Sequence, residues 1–307
     1  MDMAESVLAT HQLTKTYGRR QAVCGLDLRI RRGEVFGFLG PNGAGKTTTI
    51  RMMLGLVRPT SGWVELLGRD VATDGGGLTR VGALVETPAL YHHLSGLDNL
   101  RAFAAPLGGV PRRRLDAALD LVGLAGRERD RVRSYSLGMR QRLGVAVAML
   151  HDPELLVLDE PANGLDPAGI VEMRALLRRL AASGKTVFLS SHVLGEVQQV
   201  CDRVGIVSQG RLVGLAPVAD LVTGGGEFEV RLADAAAALV LVRREPWGAA
   251  ARLDAGVLVT GAPGGRGRDL TAYLVAAGMV PDQVAERRHD LERVFLSLTA
   301  PSAGGVR

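Results

Sequence analysis

Apolar residues fall along this chain in two rhythms. Up to residue 39 they form short runs: residues 7–10, an alternating stretch over 22–30, and a compact block over 34–39 that ends at Gly40. Alternation marks a half-buried strand, and a short unbroken run marks a strand covered on both faces. After a glycine-rich turn, residues 46–56 take up helical spacing. Over 88–150 the pattern is helical throughout, cut by Gly and Pro, with 115–124 the clearest amphipathic stretch. A strand-like run follows at 155–158, then a helix over 168–183, a strand over 186–190 and a helix over 193–201. Strands alternating with helices predict an α/β sheet carrying a mainly helical insert.

The glycine run at 223–226 reads as a linker. Beyond it, 227–232, 251–254 and 257–260 read as strands, and 269–277 and 290–298 as helices. This is a small α+β region whose Phe228, Trp247 and Tyr273 are expected in its core. The expected domains are therefore 1–222, with a helical subdomain at 87–150, and an accessory domain at 223–307. No internal repeat is evident.

Composition narrows the function classes. With 307 residues and 47% hydrophobic content the chain can bury a full core. Its net charge of +5 is almost all arginine and is dispersed; only Lys15, Lys46 and Lys185 are lysine, so no nucleic-acid partner is expected. Cys24 and Cys201 stand far apart, which argues against a disulfide framework or zinc ribbon and for two buried thiols in a reducing compartment. No secretion signal is recognisable. The longest apolar run, 235–242, falls short of the ~20 residues of a membrane helix.

Two motifs carry chemistry. Gly40-Pro41-Asn42-Gly43-Ala44-Gly45-Lys46-Thr47 fits the phosphate loop G-x-x-x-x-G-K-[ST], placed after a buried strand and before a helix. Its glycines let successive N–H groups face phosphates, and the helix N-terminus adds positive charge. Lys46 would reach the β- and γ-phosphates, the Thr47 hydroxyl would bind Mg²⁺, and Thr48 continues the cradle. The second motif is Leu155-Leu156-Val157-Leu158-Asp159-Glu160. Two acids ending a buried strand are costly unless they meet a cation or a proton to transfer. Asp159 would hold Mg²⁺, and Glu160 would orient and activate the attacking water.

From these motifs the chain, over roughly residues 5–218, resembles the ATP-binding subunits of ABC transporters. Tyr135-Ser136-Leu137-Gly138-Met139-Arg140-Gln141-Arg142 is similar to the family's signature stretch, usually Leu-Ser-Gly-Gly-Gln at its start. Ser136, Gly138, Gln141 and Arg142 match; Tyr135, Leu137 and Met139 depart. The resemblance implies that Ser136 and Gly138 face the γ-phosphate of a nucleotide held by another chain, although a serine there is equally a plain helix N-cap. Gly164-Leu165-Asp166 resembles the loop that crosses the dimer interface. His192 resembles the histidine that touches the γ-phosphate; alone, a histidine after a strand is usually structural. Tyr17 would stack on adenine, with a buried strand aromatic as the alternative. His11, His92, His93, His151 and His289 have no such company.

Glu86, in Val85-Glu86-Thr87-Pro88, stands where most of the family has a glutamine contacting Mg²⁺. With 82–86 and the stretch to Leu100 it resembles bacitracin-resistance and lantibiotic self-immunity exporters, which carry glutamate there; a role-free surface glutamate is the alternative. Residues 291–295 are similar to drug-resistance exporter subunits. What the resemblance implies is an ATPase using ATP and Mg²⁺, working as a pair of copies at the cytoplasmic membrane face. It would drive separately encoded permease subunits in drug or antimicrobial-peptide efflux. The rival, a soluble ABC ATPase of translation or DNA maintenance, usually has two ATP cores, zinc modules or long coiled coils, and none is legible here.

Overall fold

The computed structural model describes residues 5–75 and 77–288. The expected last helix at 290–298, the stretch 291–295 and His289 lie outside the described residues. The chain opens with β1 (Ser6–Tyr17), β2 (Arg20–Arg31) and β3 (Val35–Leu39), and then α1 (Lys46–Met53). Next come β4 (Ser61–Leu66), β5 (Arg69–Asp70), α2 (Val71–Asp74) and β6 (Val81–Leu84). Three helices follow: α3 (Gly96–Ala104), α4 (Arg112–Leu121) and α5 (Leu137–Ala148). The chain then returns to the sheet through β7 (Leu155–Asp159), α6 (Pro167–Ala182), β8 (Thr186–Ser191), α7 (Leu194–Val200), β9 (Arg203–Ser208) and β10 (Arg211–Pro217).

Two sheets result. One is four-stranded, in the order β2-β1-β4-β5, with antiparallel pairing; the other is six-stranded, in the order β10-β9-β3-β8-β7-β6. Within the second, β6, β7, β8, β3 and β9 run parallel, so their C-terminal ends lie along one edge. Ligands of open α/β sheets bind outside that edge. All five residues of β3 and all five of β7 are buried, as expected of parallel strands covered on both faces. Gly37 in β3 has a packing reason: a Cβ there would meet Val197 Cγ1 of α7 at 2.6 Å.

Between β6 and β7 the chain is helical, as its spacing predicts. α4 buries Leu115, Ala118 and Leu119, and stops earlier than the amphipathic stretch because Gly123 turns the backbone at φ +66°. Arg142 of α5 binds the region together. Its Nη1 donates to the carbonyls of Val122 (2.6 Å) and Gly123 (3.1 Å), and its Nη2 lies 3.0 Å from Glu172 of α6.

By its contacts the chain divides after Ala216 into two compact units. The second contains α8 (Val218–Val222), β11 (Thr223–Arg231), α9 (Ala235–Val242), β12 (Arg252–Asp254), β13 (Val257–Thr260), α10 (Gly267–Ala276) and β14 (Gln283–Arg288). Its sheet has the order β12-β13-β11-β14. Phe228 is buried; Trp247 and Tyr273 pack against its cluster, edge to face at 5.1 Å. The glycine run at 223–226 is not a linker: it begins β11. Thr223 pairs with Arg288 and the register shifts before Phe228, a disruption that the φ of +78° at Gly226 permits.

Other departures have simple causes. α1 ends at Met53 rather than 56, where Gly55 adopts φ +68°. β4, β6, β9 and β10 give no clear signal in the sequence; β4 shows only Val64 and Leu66 to the core, so its alternation is short. Of the cysteines, Cys201 is buried, which raises its thiol pKa, but Cys24 is only half-buried. No described helix is long and apolar enough to cross a membrane.

Candidate functional site

The phosphate loop turns sharply between β3 and α1. Gly45, at the N-cap of α1, has φ +104°, and a Cβ there would meet the Ala22 carbonyl oxygen at 2.4 Å; only glycine fits. A Cβ on Gly40 would meet the Val207 carbonyl oxygen at 2.6 Å, so both ends of the loop are pinned by backbone packing. The loop borders a cavity of about 580 Å³ lined by Asn42, Gly43, Gly45, Lys46, Thr47 and Thr48, with Tyr17, Arg20, Ala22, Glu160, Asn163 and His192.

Lys46 is buried, and its Nζ donates to the Gly40 carbonyl at 2.6 Å while lying 3.1 Å from Glu160 Oε1. Glu160 Oε2 lies 2.6 Å from His192 Nδ1. Three residues from three sequence segments thus form one chain of contacts: cation, carboxylate, imidazole. Glu160 and His192 sit just past the ends of β7 and β8, and Lys46 opens α1 across the loop from β3. Glu160 holds φ +50°, a left-handed conformation that costs energy outside glycine and that clusters at active sites. The Ser190 hydroxyl stabilises this corner by donating to Asp159 Oδ1 and accepting the Glu160 N–H at 2.9 Å.

A second cavity of about 350 Å³ adjoins the first. Thr47, Glu86, Gln141, Asp159 and Glu160 line it. Asp159 is almost fully buried, and the Gln141 side-chain oxygen is buried with no partner in the protein. Hydroxyl, carboxylate and amide oxygens are hard donors of the kind Mg²⁺ takes. Glu86, at φ +62°, is well exposed and ion-paired with Arg51 of α1.

Tyr17 is not a buried strand aromatic. It is 48% exposed at the end of β1, on the cavity rim, with Lys15 Nζ 5.1 Å from its ring centroid. Ser136 caps α5 by accepting the Met139 N–H at 3.1 Å, and Asp166 caps α6 by accepting the Gly169 N–H at 2.9 Å. Neither these two nor Gly138 lines the nucleotide-sized cavity of its own chain. Three further residues join the site only in the fold: Arg20, whose Nη2 donates to the Gly43 carbonyl at 3.4 Å, Asn163 and Ser190. Arg20 opens β2 and Asn163 stands in a turn, neither with a local signal. Ser190 was legible only as the end of an apolar strand.

A lysine and a left-handed glycine at a helix N-terminus, beside strand-end acids, define a P-loop nucleotide-binding domain. Residues 23–163 match the family described as ABC transporter. The chain is 44% identical over 242 residues to the bacitracin transport ATP-binding protein BcrA of Bacillus licheniformis, covering 78% of this chain and 79% of that protein. It is 38% identical over 207 residues to the lantibiotic transport ATP-binding protein SrtF of Streptococcus pyogenes, covering 67% and 89%. The solved structure of an ATP-binding subunit of an ABC transporter is 30% identical with a TM-score of 0.62, over 70% of this chain and 91% of that one. The chain belongs to the ABC transporter ATP-binding proteins, and it is an ATPase.

Proposed function

We propose that this chain is the ATP-hydrolysing subunit of an exporter conferring resistance to an antimicrobial peptide or drug. In this reading two copies act at the cytoplasmic membrane face with separate permease subunits. The observation that carries the catalytic part is the contact chain Lys46–Glu160–His192 on the wall of the nucleotide-sized cavity. The cargo class is supported by the likeness to proteins named for bacitracin and lantibiotic transport.

With ATP bound, the loop from Gly40 to Thr48, with Asn42, Gly43 and Gly45, surrounds the phosphates and Tyr17 stacks on adenine. Lys46 exchanges its carboxylate partner for the β- and γ-phosphates, which frees Glu160 to orient water against the γ-phosphorus and take its proton. His192 holds Glu160 and faces the γ-phosphate. Thr47 and Asp159 would hold Mg²⁺, with Glu86 as a further metal or water ligand once it leaves Arg51; a cation held there would offset phosphate charge. Ser136 and Asp166, which are exposed, and the half-buried Gly138, none of them lining their own cavity, complete the site of a second copy. Catalysis is mostly positioning and charge stabilisation.

The test is resistance in a sensitive host expressing the chain with its permease. Wild type should raise tolerance to bacitracin or to a lantibiotic panel, and Lys46→Ala should abolish the gain. Equal tolerance with both would overturn the exporter reading. Sedimentation of Glu160→Gln protein should show dimers with Mg-ATP and monomers without; a monomer at saturating ATP would overturn the shared site.

A further inference from the structure

Two side chains on the wall of the nucleotide-sized cavity are always cationic, Lys46 and Arg20. Lys46 faces Glu160 at 3.1 Å. Arg20 faces no carboxylate: among the described residues its guanidinium bonds only to the Gly43 carbonyl oxygen, at 3.4 Å. That separation lies beyond the usual range of an N–H···O bond. Both residues are exposed, so water can replace either partner and the bond is given up at little cost. Arg20 has no part in the chemistry described above.

A hairpin sets its place. Tyr17, the last residue of β1, pairs directly with Arg20, the first of β2, across the turn Gly18-Arg19. The Arg20 backbone is therefore fixed beside Tyr17 on the cavity rim, while its Nη2 reaches the phosphate loop at Gly43. A Cβ on Gly43 would come within 3.5 Å of that nitrogen, so the guanidinium lies against the loop. One side chain thus spans from the aromatic ring to the loop.

In a nucleotide, the ribose and the α-phosphate lie between the base and the β- and γ-phosphates. We propose that Arg20 binds the α-phosphate, releasing Gly43 and donating N–H groups to the phosphate oxygens while Tyr17 holds the base. The proposal rests on the reading of this cavity as the ATP site, with Tyr17 against adenine and Lys46 at the β- and γ-phosphates.

A guanidinium suits this task because its planar donors match two phosphate oxygens at once. The α-phosphate is common to ATP and ADP, so this contact survives hydrolysis. Arg20 therefore sets how tightly product is held as well as substrate. The rival role is a pin that only steadies the loop through Gly43. A pin acts on every phosphate the loop surrounds, so its loss would weaken ATP most and AMP least. A direct α-phosphate contact weakens all three alike.

The experiment separates the two. Full-length Arg20→Met and Arg20→Lys are loaded with a fluorescent ADP analogue, which ATP, ADP, AMP and adenosine then displace at low and at high salt. Arg19→Met is the control, since it removes the same charge from a neighbour that does not line the cavity. The expected result in Arg20→Met is about tenfold weaker binding of ATP, ADP and AMP alike at low salt. The loss should shrink as salt rises, with adenosine bound as by wild type. Arg20→Lys should recover part of the affinity, and Arg19→Met should match wild type. Wild-type affinity for AMP and ADP in Arg20→Met overturns the contact. So does a loss that grows from AMP to ATP, a loss shared by adenosine, or an equal loss in Arg19→Met. Lys46→Ala is run alongside: if it binds ATP like wild type, the cavity itself has been misassigned. If it loses ATP while Arg20→Met keeps wild-type affinity, only the role of Arg20 falls.

Discussion

In the unit up to Ala216, the buried Lys46, Asp159 and Gln141 surround cavities, and the Gln141 oxygen has no protein partner. In the unit from Pro217, the core around Phe228, Val242, Leu258 and Leu270 is apolar. Its buried cation, Arg287, donates to Asp254 at 2.7 Å and lies 3.5 Å from Glu229, although its Nη1 has no partner in the protein. Burying polar groups costs free energy in both units. In the second, carboxylates face the buried charge and offset part of that cost, and the arrangement serves the fold. In the first, part of the offset is left for a ligand to supply.

The sharpest break in this comparison is at Glu160. Glu160→Gln keeps the shape and the contact to Lys46 but loses the proton acceptor, so kcat should fall by roughly 10²–10⁴ with nucleotide affinity retained. Lys46→Ala should instead lose nucleotide binding. Steady-state kinetics with a fluorescent-nucleotide titration distinguishes the two, and near-wild-type hydrolysis by Glu160→Gln would show that the strand-end acid is not the base.

In the second unit the expected change is in stability alone. Arg287→Met leaves Asp254 and Glu229 without their shared cation, and should cost about 2 kcal/mol in urea unfolding while kcat stays at the wild-type value. A loss of ATPase activity at temperatures where the protein is folded would blur the proposed distinction between the units.

Ser190→Ala probes the boundary between support and chemistry. Removing the hydroxyl leaves the Asp159 oxygen and the Glu160 N–H each short of a partner, at a cost of about 1–2 kcal/mol. Because those groups face the cavity, kcat should fall by roughly tenfold, more than the melting temperature alone would suggest. An unchanged kcat with a lower melting temperature would place Ser190 with the purely structural residues.

The smallest effect concerns a surface ion cluster. The bond from Arg32, aided by Arg80, holds the Glu154 carboxyl below the usual carboxylate range. A depressed folded pKa adds stability above the unfolded value, and that stability is lost as pH falls through the folded value. Glu154→Gln should therefore lower stability at neutral pH by less than about 1 kcal/mol, and the difference should vanish in acid. Melting curves between pH 7 and strongly acid pH check the sign; a difference that grows in acid would be wrong.

Much of this protein was written locally. The phosphate loop, the acids after β7 and the strands β3, β7 and β8 are legible because fully buried parallel strands need unbroken apolar runs. A loop around phosphate needs its glycines at fixed steps. The N-cap Ser136 is equally local, since a cap bonds within three residues of itself. Contacts between distant segments were not legible. Ser190 bridging Asp159 and Glu160 and Arg20 against Gly43 depend on strand order, which no nearby residue encodes. The glycine run at 223–226 marks the other limit. Glycine permits a linker and a bulged strand alike, and only pairing with β14 across the sheet decides between them.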